Sequence, residues 1–163
     1  MPVSYRPTPG RFRPEALFRP ASVAVIGADS PAGVQVLGNL RAGGFAGAVL
    51  PVASGADIAA LAEAPDLAVI CEPAPDIASL FARLAARGTF AAVVTGMASG
   101  LRAAARASGV RVLGPGSFGV AVPALGLNAT TGHLVPRPGR LALVSQSAAL
   151  CRAVLDWAEP NGV

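Results

Sequence analysis

Residues 22–33 read SVAVIGADSPAG, and this stretch decides the fold. The apolar run 22–27 is short and rich in β-branched residues, which is typical of a strand buried on both faces of a parallel sheet. Gly27 permits a sharp turn, and the loop after it leads into a helix predicted over 33–42, with Val34, Leu37 and Leu40 on one face. Because the N–H groups at a helix N-terminus attract anions, the loop favours a phosphate-bearing ligand over a purely structural turn.

The same strand–loop–helix unit recurs along the chain. Strands are predicted over 48–52, 66–71, 91–95 and 111–113, and helices over 58–63, 75–87 and 99–108. In the helix 75–87, apolar side chains recur at core-facing spacing at Ile77, Leu80, Phe81 and Leu84. Strands that alternate with helices in this way indicate the α/β class, as a Rossmann-like open parallel sheet with helices on both faces.

The two ends of the chain depart from this rhythm. Residues 1–20 contain five prolines and predict an extended Pro/Arg-rich arm, with a short helical turn at 15–18. Residues 114–139 are rich in Gly and Pro and predict a long return loop with a hairpin. A strand over 140–144 and a helix over 147–158 follow. One strand and one helix cannot bury a core of their own, so the C-terminal end is interpreted as a truncated second domain or as a pair docked onto the first.

Composition excludes several classes of protein. All thirteen basic residues are Arg, which excludes a Walker A loop and a Schiff-base lysine, since both need Lys. The net charge is +4, but most of it falls in residues 1–20, so the predicted domain carries no basic stripe for nucleic acid. No apolar run approaches the roughly 18 residues of a membrane helix, and the N-terminus lacks a secretory signal. We therefore expect a cytoplasmic protein with no membrane and no nucleic-acid partner.

Residue types that build metal or hydrolytic sites are scarce. Cys71 and Cys151 lie far apart and are interpreted as buried free thiols, and with one histidine in the chain no metal site is expected. His133 is interpreted as a loop residue with a local hydrogen bond. Ser147 is predicted to cap the last helix, and Asp76 to favour the start of the helix after it.

The end of the second strand bears on the choice of ligand. A Rossmann unit that binds NAD places an acid there to hold the ribose hydroxyls, and its loop reads GxGxxG. Here the second strand continues into Ala53-Ser54, and Asp57 comes later. The absence of an acid at the strand end is compatible with CoA, whose 3′-phosphate an acid would repel, and unfavourable for NAD.

Six motifs in order then resemble the start of the nucleotide-forming acyl-CoA synthetases. They are LFRPASVAVIGA (17–28), NLRAGGFAG (39–47), DLAVI (66–70) with Pro73 after it, GPGSFG (114–119) for the family's GPNCxG, LNA (127–129) and PGRLALVSQS (138–147). The family includes ADP-forming acetyl-CoA synthetases, the α-subunit of succinyl-CoA synthetase, and acetyltransferases of the GNAT class fused to the same region. The likeness covers about residues 15–159.

The resemblance implies a CoA-binding domain that is not catalytic alone. It implies domains at 21–138 and from 139 onward, CoA or acyl-CoA as ligand, and the rest of a synthetase, with its phosphohistidine and ATP-grasp parts, as partner in cis or in trans. The implied ligand-binding residues are Gly27, Ala28, Asp29, Ser30, Pro51, Val52, Glu72, Pro73, Thr95 and Ser117. Ala53, Gly116 and Ala148 depart from the family pattern. Two alternatives therefore stay open: a regulatory or interaction module without CoA, and an NAD(P)-binding Rossmann domain.

Overall fold

The computed structural model describes residues 13–72 and 74–163 of the 163-residue chain. Its centre is a sheet of five parallel strands in the order β2-β1-β3-β4-β5. The strands are β1 (Ser22–Ile26), β2 (Ala48–Val52), β3 (Leu67–Ile70), β4 (Ala91–Val94) and β5 (Arg111–Leu113). The predicted fold class is confirmed. The prolines of residues 2–9 in the predicted arm lie outside the described residues.

Helices cover both faces of this sheet. They are α1 (Glu15–Phe18), α2 (Pro31–Ala42), α3 (Ile77–Arg87) and α4 (Leu101–Ser108), with a 3₁₀ helix at Gly55–Ala60; a further helix, α5 (Ala148–Asn161), belongs to neither core cluster. One core cluster joins β1 and β3 to α1 and α2, and the other joins the opposite face of the sheet to α3, α4 and the 3₁₀ helix. Because the central strands are covered twice, every residue of β3 and of β4 is buried.

The helix α3 shows how the local pattern sets the packing. Its buried residues are the four predicted from the spacing, Ile77, Leu80, Phe81 and Leu84. The Asp76 carboxylate accepts a hydrogen bond from the Ser79 N–H at 2.9 Å, so Asp76 is the N-cap of the helix. In α2 the expectation is partly wrong. Val34 is 60% exposed, and Val36, two residues further on, packs in the core beside Leu37 and Leu40.

The predicted hairpin is present and is fastened to α2. It consists of β6 (Gly119–Val122) and β7 (Leu127–Thr130), which pair antiparallel. The buried Asn39 side chain donates to the carbonyls of Thr130 and Gly132, at 2.9 and 2.7 Å. This polar bridge satisfies two backbone acceptors beneath the hairpin, so Asn39 fixes the hairpin on that face of the sheet.

The predicted strand at 140–144 is wrong. These residues form no strand, Leu141 is 81% exposed and Val144 is 96% exposed. An apolar run becomes a strand only where a neighbouring strand supplies hydrogen bonds, and the described residues provide none for this segment. The helix predicted at 58–63 is likewise corrected to a 3₁₀ helix at Gly55–Ala60.

The helix α5 lies against the segment after the hairpin through polar contacts at exposed positions. His133 Nε2 lies 3.2 Å from Asp156 Oδ1, Arg137 pairs with Glu159, and Arg152 lies over the Phe118 ring. The Ser147 hydroxyl accepts from the Leu150 N–H at 3.2 Å and caps the helix as predicted. No helix in the described part of the chain is long and apolar enough to cross a membrane.

Candidate functional site

The carboxyl ends of the parallel strands meet along one edge of the sheet, and the loop after β1 lies at the centre of that edge. Gly27 has φ +77°, a conformation that L side chains rarely adopt. The turn carries the N–H groups of Gly27 and Ala28 onto the carbonyl of Val52 in β2, at 2.9 and 3.1 Å. The loop is therefore bound to the end of the adjacent strand.

Ser30 joins the loop to α2 and to β3. Its hydroxyl accepts from the Gly33 N–H at 3.0 Å, donates to the Gly27 carbonyl at 2.7 Å and lies 3.4 Å from the Cys71 carbonyl. A Cβ on Gly33 would lie 2.0 Å from the Gly27 carbonyl oxygen, so only glycine permits the helix to approach the loop this closely. The start of α2 is thus held rigidly against the ends of two strands.

Two backbone donors of this loop are left for a ligand. The N–H groups of Asp29 and Ala32 make no hydrogen bond within the described part of the chain. They lie beside the N-terminus of a helix of twelve residues, where the helix dipole favours negative charge. The arrangement is suited to a phosphate group.

Carboxylates flank the same loop. The side chain of Glu72, directly after β3, lies over Gly27: a Cβ on Gly27 would be 2.7 Å from Glu72 Cβ. Asp29 is exposed in the loop itself. Because these acids repel a phosphate, the loop can attract one only through its backbone N–H groups and the dipole of α2.

The polar groups at the end of β4 serve the fold. The Thr95 hydroxyl donates to the Ile70 carbonyl at 3.2 Å and bonds the Cys71 thiol, and the Ser117 hydroxyl accepts from the Gly119 N–H at 3.1 Å. Burial raises the pKa of the Cys71 thiol to about 11, the Thr95 hydrogen bond opposes the shift, and the Glu72 charge adds to it. Cys71 is therefore a neutral thiol beneath the site at ordinary pH.

The first acid after the end of β2 is Asp57, which lies in the 3₁₀ helix Gly55–Ala60. The sequence argument found no acid at the strand end, because Asp57 lies five residues beyond Val52. The 3₁₀ helix turns the chain back, so Asp57 Oδ2 accepts from the Ser54 N–H at 3.1 Å and from the Ser54 hydroxyl at 3.0 Å. Asp57 therefore caps the start of the 3₁₀ helix, and the absence of an acid at the end of β2 itself stays a prediction.

The structure places nine of the ten predicted ligand residues along this edge. The loop 27–30 and Glu72 are adjacent, and the N–H groups of Thr95 and Ser117 bond the ends of β3 and β4. In β2, Pro51 is exposed and Val52 is buried, so only the Val52 backbone faces the loop. Pro73 lies outside the described residues. That these ten residues contact a ligand stays a prediction.

Candidate metal ligands are not brought together. No group of three or more His, Cys, Asp or Glu side chains among residues 13–72 and 74–163 could hold a metal ion. Cys71 is buried and Cys151 half-buried, both as free thiols. His133 pairs with Asp156 from α5.

The fold and the edge together define a Rossmann-like α/β domain with a phosphate-suited loop after its first strand. No family model matches the chain. The chain is nevertheless 34% identical, over 88% of its length, to the α subunit of acetate–CoA ligase [ADP-forming] I of Pyrococcus furiosus, of which it spans 37%. It is 31% identical, over 91% of its length, to acetate–CoA ligase [ADP-forming] I of Archaeoglobus fulgidus, of which it spans 25%.

Solved structures agree. The apo form of a dinucleotide forming acetyl-coenzyme A synthetase 1 of Ca. Korarchaeum cryptofilum matches with a TM-score of 0.81 and 30% identity, over 91% of this chain and 38% of that one. A protein of Pyrococcus horikoshii OT3 shares the fold, with a TM-score of 0.80 and 24% identity, over 91% of this chain and 40% of that one. The chain is a homologue of the ADP-forming acetate–CoA ligases and corresponds to a part of them, as the six motifs predicted.

Proposed function

We propose that this chain binds the adenosine pyrophosphate portion of CoA or acyl-CoA at the carboxyl edge of its sheet. The observation that carries the proposal is the loop 27–33, which holds two unpaired N–H groups at the start of α2. Homology to CoA ligases supports CoA as the ligand class, and the loop supplies a physical reason for a pyrophosphate at this place.

The chain is proposed to act as one part of a larger acyl-CoA synthetase. It spans little more than a third of the P. furiosus relative, so a complete reaction requires residues that the relatives carry elsewhere. We propose 21–138 as the ligand-binding domain and 139–163 as the beginning of a second one, with the remaining parts supplied in cis or in trans. The exposed Leu141, Val144 and Trp157 support this division, since such side chains are normally covered.

The test is calorimetric titration of the full chain with CoA, dephospho-CoA and NAD. A matched pair of variants locates the site: Ser30→Ala removes the cap at the start of α2, and Ser147→Ala removes a cap of the same kind from α5. We expect saturable binding of the two CoA-type ligands, weaker binding of NAD, a loss of about tenfold in Ser30→Ala and no change in Ser147→Ala.

Other outcomes lead to the alternatives. A chain that circular dichroism shows to be folded, but that gives no heat with any ligand, would be a regulatory or interaction module. Tighter binding of NAD than of either CoA-type ligand would identify a dinucleotide site.

A further inference from the structure

The side chain of Glu72 lies across the turn of the proposed phosphate loop. Its Cβ, Cγ and Cδ atoms lie 2.7, 2.8 and 3.1 Å from the position that a Cβ on Gly27 would take. The backbone directly before it is also fixed, because the Cys71 N–H donates to the Ile26 carbonyl at the end of β1, at 2.9 Å. Two independent sets of contacts therefore hold Glu72 against the loop 27–33.

The Glu72 carboxylate carries a charge that the described part of the chain leaves unpaired. Among residues 13–72 and 74–163, this carboxylate makes neither a hydrogen bond nor an ion pair. Its charge acts on the neighbouring Cys71 thiol, where it contributes to the raised pKa. A full negative charge thus lies beside the loop that carries the free N–H groups of Asp29 and Ala32.

Two features of the loop act in opposite directions on any extra negative charge of a ligand. The dipole of α2 attracts that charge with about half of a positive charge at the helix N-terminus. The Glu72 carboxylate repels it with a full negative charge, and the exposed Asp29 carboxylate adds to the repulsion. Because the repulsion is the larger effect, a phosphate group that carries more charge should bind more weakly at this loop.

We infer that Glu72 makes the loop selective for a pyrophosphate diester, such as the one in CoA, over nucleotides that end in a free phosphate, such as ADP. The inference rests on the proposed function, which places the pyrophosphate at the loop 27–33. Each phosphate of a diester carries one negative charge, whereas a terminal phosphate carries about two at neutral pH and above. The 3′-phosphate of CoA is attached to the ribose, beyond the pyrophosphate, so the Glu72 charge acts on it more weakly.

The test is a calorimetric displacement of dephospho-CoA by ADP and by the β-methyl ester of ADP, with the full chain and without divalent cations. The two competitors differ by one methyl group and one negative charge, so the ratio of their dissociation constants reports on charge at the terminal phosphate. Glu72→Gln removes the carboxylate charge and keeps the shape of the side chain. Glu63→Gln removes the same charge before the start of β3 and is the matched control, and Asp29→Asn tests the other acid of the loop.

For the unchanged chain we expect the methyl ester to bind about three- to fivefold more tightly than ADP, which is the size of effect that a partly exposed charge produces. Glu72→Gln should lower this ratio to less than about twofold, mainly by strengthening the binding of ADP. Glu63→Gln should leave the ratio unchanged.

Three results would overturn the inference. If ADP bound as tightly as its ester, or if Glu72→Gln left the ratio unchanged, Glu72 would not select the ligand, and the proposed function would stand because dephospho-CoA still binds. A ratio that only Asp29→Asn lowers would assign the selectivity to Asp29. If the folded chain bound neither CoA nor dephospho-CoA, the proposed function and this inference would fail together.

Discussion

Two glycines of the same helix should respond to alanine in opposite directions. A Cβ on Gly33 would lie 2.0 Å from the Gly27 carbonyl oxygen and 2.9 Å from the backbone of Ala28, whereas contacts under 3.0 Å essentially never occur. The start of α2 must therefore move away from the loop by about 1 Å. Gly38, one and a half turns further along, has nothing within 4 Å of its Cβ position.

The size of this displacement determines how much stability the protein should lose. Moving Gly33 by that distance breaks its hydrogen bond to Ser30, worth about 1 kcal/mol, and disturbs packing for about 1–3 kcal/mol more. Better helix propensity returns about 0.5–1 kcal/mol, so Gly33→Ala should lower the free energy of unfolding by about 1–3.5 kcal/mol. Gly38→Ala gains helix propensity without a steric clash, so it should raise the free energy of unfolding by about 0.5–1 kcal/mol.

Urea unfolding followed by far-ultraviolet circular dichroism measures both variants against the unchanged chain. Their midpoints should lie on opposite sides of the parent's at a common slope. In Gly33→Ala, the affinity for CoA-type ligands should also fall, because the N–H groups of the loop move with the helix. A loss of stability below about 1 kcal/mol in Gly33→Ala would refute the close approach of α2 to the β1 loop.

Three further changes probe other parts of the fold. Asn39→Ala leaves the Thr130 carbonyl without its side-chain donor and the Gly132 carbonyl with Gln35 Nε2 alone, so it should lower the free energy of unfolding in urea by about 1–3 kcal/mol; a loss under about 0.5 kcal/mol would mean that the hairpin is held otherwise. Because burial raises the pKa of the Cys71 thiol from 9.0 to about 11, stability should fall as the pH rises through this range, by about 2–3 kcal/mol in all. In Cys71→Ala the stability should not fall by this amount over the same pH range. If the variant and the unchanged chain showed the same dependence of stability on pH, the fall would not come from Cys71. Arg137→Gln breaks an exposed ion pair with Glu159 and should change the urea midpoint by the equivalent of less than about 0.5 kcal/mol; a larger loss would show that the pair is needed to dock α5.

The sheet could be predicted because its signals are local. Each central strand is a short apolar run, and burial of both faces is what such runs indicate. The packing of α3 also followed from spacing within one element. Val34 was misplaced in α2 because both Val34 and Val36 fit an apolar stripe with Leu37 and Leu40, and the local pattern does not choose between them.

The features that were missed depend on contacts between distant residues or on an irregular turn. The apolar run 140–144 has the composition of a strand. A strand also needs a neighbouring strand to pair with, and the composition of one segment does not show whether such a partner is present. The cap that Asp57 forms on Ser54 was not predicted, because it depends on the 3₁₀ helix that turns the chain back on itself. The pattern Ser-x-x-Asp is the signal that could have found it, since this spacing lets the two residues cap one another.

The two carboxylates at the loop determine how this edge of the sheet should respond to salt when it binds a ligand. Asp29 lies in the loop and Glu72 lies over Gly27, so attraction for a pyrophosphate comes from backbone N–H groups and the dipole of α2, which act at short range. The acids act over a Debye length of about 10 Å and oppose it. Added salt weakens the repulsion from the acids more than it weakens the direct hydrogen bonds to the ligand. Ligand binding here should therefore strengthen with ionic strength, whereas a pocket lined by Arg or Lys would lose affinity. That dependence separates recognition by backbone geometry from recognition by charge.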